Sequence, residues 1–162
     1  MNLDFATPPK ASLTFHVPGI PAPGGSKRAF AIKKGGVYTG RTVVFDDAGQ
    51  RNKDWRASVA HAAALAVKGL NWPGFTVPLL VTFEFTMPRI KAHFRQSKKT
   101  GPTLRADAPT FHTTKPDTTK LVRSTEDALT GIAWGDDAQI AVQTASKTYG
   151  DKPGCKITIT EL

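Results

Sequence analysis

The sequence predicts an α+β fold, mixed α/β in its element order: a single small domain over residues 1–162 with a mixed sheet flanked by two main helices. Three observations predict it. A chain of 162 residues, 40% of them hydrophobic, is long enough for one core and too short for two ordinary ones. Two segments carry helical periodicity. Runs with strand character lie before, between and after them, the last two forming a closing hairpin.

The first element is Ser12 to Val17, SLTFHV, whose alternation reads as a strand. It runs into PGIPAPGGSKR, where prolines and glycines deny both helix and sheet, so a loop bearing Lys27 and Arg28 is expected. Val37 to Phe45 is expected as a short hairpin around Gly40. A helix then spans Gly49 to Val67, with Trp55, Val59, Ala62 and Ala66 at helical spacing on its core side. Asp46 or Asp47 is placed to cap it, and Gly69 ends it. Val77 to Thr86 is a strand with Leu79, Val81, Phe83 and Phe85 on one face and Leu80, Thr82, Glu84 and Thr86 on the other. The basic stretch after Met87 has no hydrophobic period and is expected to be a mobile loop. Phe111 to Thr114 is expected as a short strand leading into KPD. A second helix runs from about Thr118 to Thr130, with Leu121, Thr125, Ala128 and Leu129 on one face and Gly131 as its terminator. Gln139 to Thr148 and Lys156 to Thr160 are the closing strands.

Charge narrows the function. There are 22 Lys+Arg against 13 Asp+Glu, a formal net charge of +9, which favours a polyanionic partner. The bases are not scattered. Between Gly19 and Phe45 lie Lys27, Arg28, Lys33, Lys34 and Arg41 with no acid; between Pro88 and Ala106 lie Arg89, Lys91, Arg95, Lys98, Lys99 and Arg105, again with no acid. The sign then reverses through Asp107, Asp117, Glu126, Asp127, Asp136 and Asp137. Basic arms over 11–45 and 88–109 around an acidic centre suit a protein that grips a phosphate backbone while carboxylates bind metal.

Other classes recede. The single cysteine, Cys155, can form no internal disulfide and no zinc motif, and reads as a buried strand residue. Apolar runs such as Val77 to Val81 are too short to cross a bilayer, and MNLDFATPPK has an acid where a signal peptide has lysine. A cytoplasmic location with no membrane partner is the expectation, and no organic cofactor is expected.

The chemistry concentrates in residues 115–147. Asp117 stands where the chain enters the second helix, Asp136 and Asp137 where it enters the next strand. Such a helix is roughly 20 Å long, so its two ends do not meet by themselves. They meet only if Ile132 to Gly135 folds back along the helix, or if a second subunit supplies the other acid. A converged set would be an oxygen-only site suited to magnesium or manganese. The structural alternatives are an N-cap for Asp117 and turn positions for Asp136 and Asp137.

KPD, a helix ending in DALTG, then WGDDAQI and Lys147 in the following strand resembles the signature of the RusA family of Holliday junction resolvases. That pattern is approximately KPD-x-D-[NK]-L-x-[KR], then DAL, then DD-x-Q-[IV]. The loop PGIPAPGGSKR and the HTTKPD approach add weaker agreement.

The resemblance implies a homodimeric, bacterial or phage-encoded endodeoxyribonuclease. It would use Mg2+ or Mn2+ to make paired nicks in four-way DNA junctions. It implies Asp117 and Asp137 as metal ligands, Asp136 as a supporting acid, and Arg123 as the catalytic cation near the scissile phosphate. Lys27, Arg28, Lys120, Arg123 and Lys147 would contact DNA. One departure stands out: Thr119 occupies the position of the family's second aspartate. This leaves two outcomes open, an active site completed without that acid or a branched-DNA-binding protein that cuts poorly. Glu126 shares the helix face of Thr119, but about 10 Å of helix rise separates them.

Overall fold

The computed structural model describes residues 10–25, 27–46, 49–74 and 76–162, with only the backbone of 27, 28 and 44–46. Its elements are β1 (Ser12–Pro18), β2 (Lys27–Lys34), β3 (Val37–Asp46), α1 (Gly49–Val67), β4 (Leu79–Pro88), β5 (Phe94–Arg95), β6 (Thr103–Leu104), α2 (Thr118–Leu129), β7 (Ile140–Gly150) and β8 (Gly154–Glu161). Short 3-10 turns at Lys91–His93 and Asp137–Gln139 precede β5 and β7.

The expected α+β fold is present. A mixed sheet in the order β1-β8-β4-β7 is the centre of the molecule; β8 runs antiparallel to both its neighbours, and β4 pairs in parallel with β7. The alternation read in β4 has a physical basis: Leu79, Val81, Phe83 and Phe85 are fully buried while Glu84 is exposed. With Ile157, Ile159, Leu13 and Val17 they form one sheet face, against which α1 and α2 pack. From α1 come Trp55, Val59 and Ala63; from α2 come Leu121, Ala128 and Leu129. The opposite face is a field of hydroxyls, with Ser12 paired to Thr160, Thr14 to Thr158 and Thr144 to Thr82.

Polar groups fix how the helices meet. Trp55 donates its indole N–H to Thr125 (3.1 Å), and Asn52 donates to Ser124 and to the Pro23 carbonyl. These bonds leave the buried Asn52, Ser124 and Thr125 satisfied, as burial demands.

Four local expectations are corrected. Lys27 and Arg28 stand at the start of β2, not in a loop. The hairpin expected around Gly40 is a longer ribbon, β2 paired with β3, that turns at Gly35 and Gly36. Both glycines have positive φ (59° and 84°), the combination a two-residue hairpin turn requires. Gly40 lies within β3, near a register shift between Ala31 and Lys33. The basic stretch after Met87 folds into a small β5–β6 hairpin, because His93 buries itself against Tyr149 (ring centroids 4.6 Å) and its carbonyl accepts from Arg105 N–H. Phe111 makes a single bridge to Thr148 instead of a strand. Of the two helix caps suggested for α1, Asp46 ends β3 and Asp47 lies outside the described residues.

Candidate active site

α2 and β7 run along one another on the helical side of the sheet, and the candidate residues line the space between them. Asp117 is the N-cap residue of α2 by backbone conformation, yet its side chain makes no capping hydrogen bond. The helix start is held by the backbone instead, with Lys120 and Leu121 N–H groups donating to the Asp117 carbonyl. The carboxylate is thus exposed, 3.8 Å from the Lys120 ammonium.

Lys147, on β7, meets this same end of the helix. Its ammonium donates to the Thr114 carbonyl (2.8 Å) and the Pro116 carbonyl (2.5 Å), tying the HTTKPD segment to the sheet edge. The Lys115–Pro116 peptide is cis. Burial lowers the Lys147 pKa, and the nearby Asp117 charge opposes that shift. His112 completes the approach: its N–H donates to the Lys147 carbonyl and its ring leans on Tyr149 (4.7 Å). Burial, followed by the Lys147 charge, lowers the His112 pKa.

The other two aspartates lie at the far end of α2. Asp136 caps the 3-10 turn, accepting from Ala138 N–H (2.7 Å), while the Gln139 amide oxygen accepts from the Gly135 and Asp136 N–H groups. Asp137 accepts at one oxygen, Oδ1, from both Thr130 Oγ1 (2.5 Å) and Trp134 Nε1 (2.8 Å). Trp134 is fully buried, so its indole is a fixed donor. The turn is anchored further by Gln139 to the Gly74 and Val77 carbonyls and by Trp72 to the Ala133 carbonyl. A Cβ on Gly74 would stand 2.3 Å from that same carbonyl, which is why glycine is required there.

Glu126 faces β7 here, where Gln143 donates to its carboxylate. Burial raises the Glu126 pKa, Gln143 opposes the rise, and the charges of Asp137 and Asp127 add to it. Arg123 is exposed on the turn of α2 before Glu126, between the two clusters. Thr119 is exposed in the first turn.

The structure therefore brings Asp117, Lys120 and Lys147 together at one end of α2, and Asp137, Asp136 and Glu126 at the other. Asp117 and Asp137 do not converge within one chain. Asp137 bonds to the residue after α2 and Asp117 precedes it, so the rise of the helix alone separates them by roughly 20 Å. Ile132 to Gly135 closes a tight turn on the helix end, with Gly131 N–H donating to the Trp134 carbonyl and Thr130 bridging Trp134, so Asp137 returns to Thr130 and Glu126 and not to Asp117. Among the described residues, no three His, Cys, Asp or Glu side chains are grouped to hold an ion.

Lys27 and Arg28 lie at the start of β2, on neither α2 nor β7, and the loop before them meets α2, where Gly24 N–H donates to the Lys120 carbonyl. Cys155 is buried in the sheet, where desolvation pushes its thiol well above the usual range and leaves it inert. Residues that sequence reasoning missed are Thr130, Trp134, Gln143, His112 and Tyr149. Two of these carried a signal: Trp134, an aromatic directly before the GDD turn, and His112, the first residue of HTTKPD.

A strongly basic α+β domain with exposed carboxylates and cations at the ends of α2 has the charge of a protein that acts on nucleic acid. The particular family is the RusA endodeoxyribonucleases, to which this chain belongs: the family model matches residues 19–160. The family consists of metal-dependent nucleases that resolve Holliday junctions. No curated protein matches the chain. No helix among the described residues is long and apolar enough to cross a membrane.

Proposed function

We propose that this chain is a Mg2+- or Mn2+-dependent endonuclease that resolves four-way DNA junctions as a homodimer in the cytoplasm, with each active site assembled from two protomers. The observation that carries the proposal is the state of Asp117: an N-cap residue whose carboxylate does no capping and stands exposed beside two lysines. Capping normally contributes about 1 kcal/mol, so an exposed, uncapped aspartate at this position points to another use.

Among the described residues of one chain, no three His, Cys, Asp or Glu side chains meet at one point to hold an ion. The donors are nonetheless of the right kind, carboxylate oxygens without sulfur or imidazole. In the dimer, Asp117 of one protomer and Asp137 of its partner would hold the ion. The ion supplies activation of water and neutralisation of charge on the transferring phosphate. Asp137 has one oxygen fixed by Thr130 and Trp134, which leaves the second available. Asp136 acts by shaping the turn that carries Asp137. Arg123 holds the scissile phosphate and steadies the charge that develops on it. Lys120 contacts the DNA backbone beside Asp117, Lys147 has a third proton available for the same purpose, and Lys27 and Arg28 add contacts from the ribbon.

Thr119 supplies a hydroxyl where the family has a carboxylate. We propose an active enzyme with that hydroxyl, or a water held by it, at the ion. The alternative is a junction-binding protein that cuts poorly. Purified full-length protein is expected to nick a synthetic four-way junction with Mg2+ and to cut a fork or linear duplex of the same sequence more slowly. Equal cleavage of all three would remove the junction specificity; tight junction binding with no metal-dependent product would select the alternative. Under the alternative, Thr119→Asp raises the rate strongly; under the active reading it does not.

A further inference from the structure

Among the described residues, the β2–β3 ribbon leaves apolar side chains exposed. Val37 is 71% exposed, Val43 49% and Ile32 39%, and Tyr38, on the face opposite Val37, 53%. Phe30 stands opposite Val43, Lys33 opposite Tyr38, and Lys34 opposite Val37, so apolar and cationic side chains are paired along the ribbon. Among the described residues, its hydrogen-bonded strands join no other sheet. Two strands alone are marginal in water, and a hydrophobic surface on them is expected to find a partner. The tip at Gly35 and Gly36 carries no side chain and has nothing within 4 Å of where one would project, so the end of the ribbon is slim.

Charge selects the partner. No acid occurs from Ala29 to Thr42, while Lys33, Lys34 and Arg41 do. A second copy of the ribbon would set these cations against themselves, an unfavourable arrangement across paired strands. A polyanion avoids that conflict. Among polyanions, paired duplex offers phosphates and hydrogen-bonding groove edges, neither of which aliphatic side chains satisfy. Unstacked bases offer exposed π faces flanked by phosphates, which match both halves of the ribbon.

We propose that the β2–β3 ribbon is a wedge: Ile32, Val37 and Val43 contact unstacked bases at the branch point of the DNA, and Lys33, Lys34 and Arg41 hold the phosphates on either side. This deepens, and rests on, the reading of the protein as a junction nuclease. It assigns the discrimination between branched and linear DNA to apolar side chains on a ribbon that carries none of Asp117, Asp136 and Asp137.

The test uses full-length protein in EDTA, so that binding is separated from cutting, and a four-way junction carrying 2-aminopurine beside the branch point. Wild-type protein is expected to raise the fluorescence of the junction and not that of a duplex of the same sequence. The double variant Ile32→Thr, Val37→Thr keeps strand propensity and every charge. It is expected to lose the fluorescence rise and about tenfold in junction affinity, with duplex affinity unchanged. The variant Lys33→Gln, Lys34→Gln, Arg41→Gln is expected to bind both DNAs more weakly with a shallower salt dependence, while the fluorescence rise at saturation persists.

An apolar variant with wild-type fluorescence and junction preference would overturn the wedge and leave the nuclease reading intact. So would sedimentation showing that this variant is monomeric where the wild type is dimeric, or its loss of binding to phosphatidylserine vesicles that the wild type binds as tightly as DNA. Wild-type protein that binds junction no better than duplex would remove the junction specificity of the proposed function, and the wedge with it.

Discussion

At the N-terminal end of α2, Asp117 is exposed, does no capping and faces two lysines; at the C-terminal end, Asp136 and Asp137 are fixed by donors from a turn that is itself anchored to the core. The same side chain is loose at one end and rigid at the other. The difference teaches where preorganisation lies. A carboxylate with one oxygen held by two donors has one orientation to offer, which suits a ligand whose position must not drift. A carboxylate left in water is available to a group that arrives from outside. Such a pairing fits a site completed when two surfaces meet.

The comparison can be broken at either end. The largest expected effect is from Asp117→Asn and Asp137→Asn: each lowers cleavage of a four-way junction by about a hundredfold or more, with junction binding in EDTA preserved. Cleavage at the wild-type rate by either variant would remove that residue from the site. Arg123→Ala is next, expected to lower the single-turnover rate by about tenfold or more without changing the melting temperature, since it sits on an exposed helix face.

Trp134→Phe keeps most of the buried volume but removes the indole donor to Asp137. It is expected to weaken metal affinity about tenfold, read as a higher Mg2+ concentration at half-maximal rate. The corresponding change at the loose end, Lys120→Gln, is expected to make the salt dependence of binding slightly shallower and to leave the Mg2+ requirement unchanged, because its ion pair with Asp117 is long and solvated.

The smallest effect concerns pH. Burial holds the folded pKa of His112 below the ordinary 6.5, so the unfolded chain binds a proton that the folded chain refuses. The stability contributed by neutral His112 is complete above that value and is lost as pH falls through the lower, folded one. Thermal melting at neutral pH and at pH 5 is expected to show a drop that His112→Asn reduces. An equal drop in the variant would assign the acid sensitivity elsewhere.

Much of the fold was legible in the sequence because period and burial coincide. The alternation of Leu79 to Phe85 follows from one covered and one hydroxyl-lined sheet face, and the bounds of α1 follow from Trp55 and Val59 meeting the core. The ribbon was misread because its turn depends on two adjacent glycines, whereas the isolated Gly40 drew attention to a position inside a strand. The β5–β6 hairpin was invisible because it is held by His93 against Tyr149, a contact between residues distant in sequence.

The site was legible as a set of residues and not as a geometry. Asp117 and Asp137 could be named from their order along the chain. That they stand a helix apart, with Asp136 occupied as a cap and Lys147 as a clamp on the Pro116 carbonyl, depends on side-chain directions that spacing does not encode.

The most direct measurement of the two-protomer site is complementation between inactive variants. Asp117→Asn and Asp137→Asn proteins are each inactive alone; mixed and allowed to exchange subunits, they form heterodimers in which one of the two sites recovers both carboxylates. The account predicts that mixing restores single-strand nicking of a four-way junction. Heterodimers that form, as shown by differently tagged subunits co-purifying, but stay as inactive as either parent would contradict it and place both carboxylates in one chain.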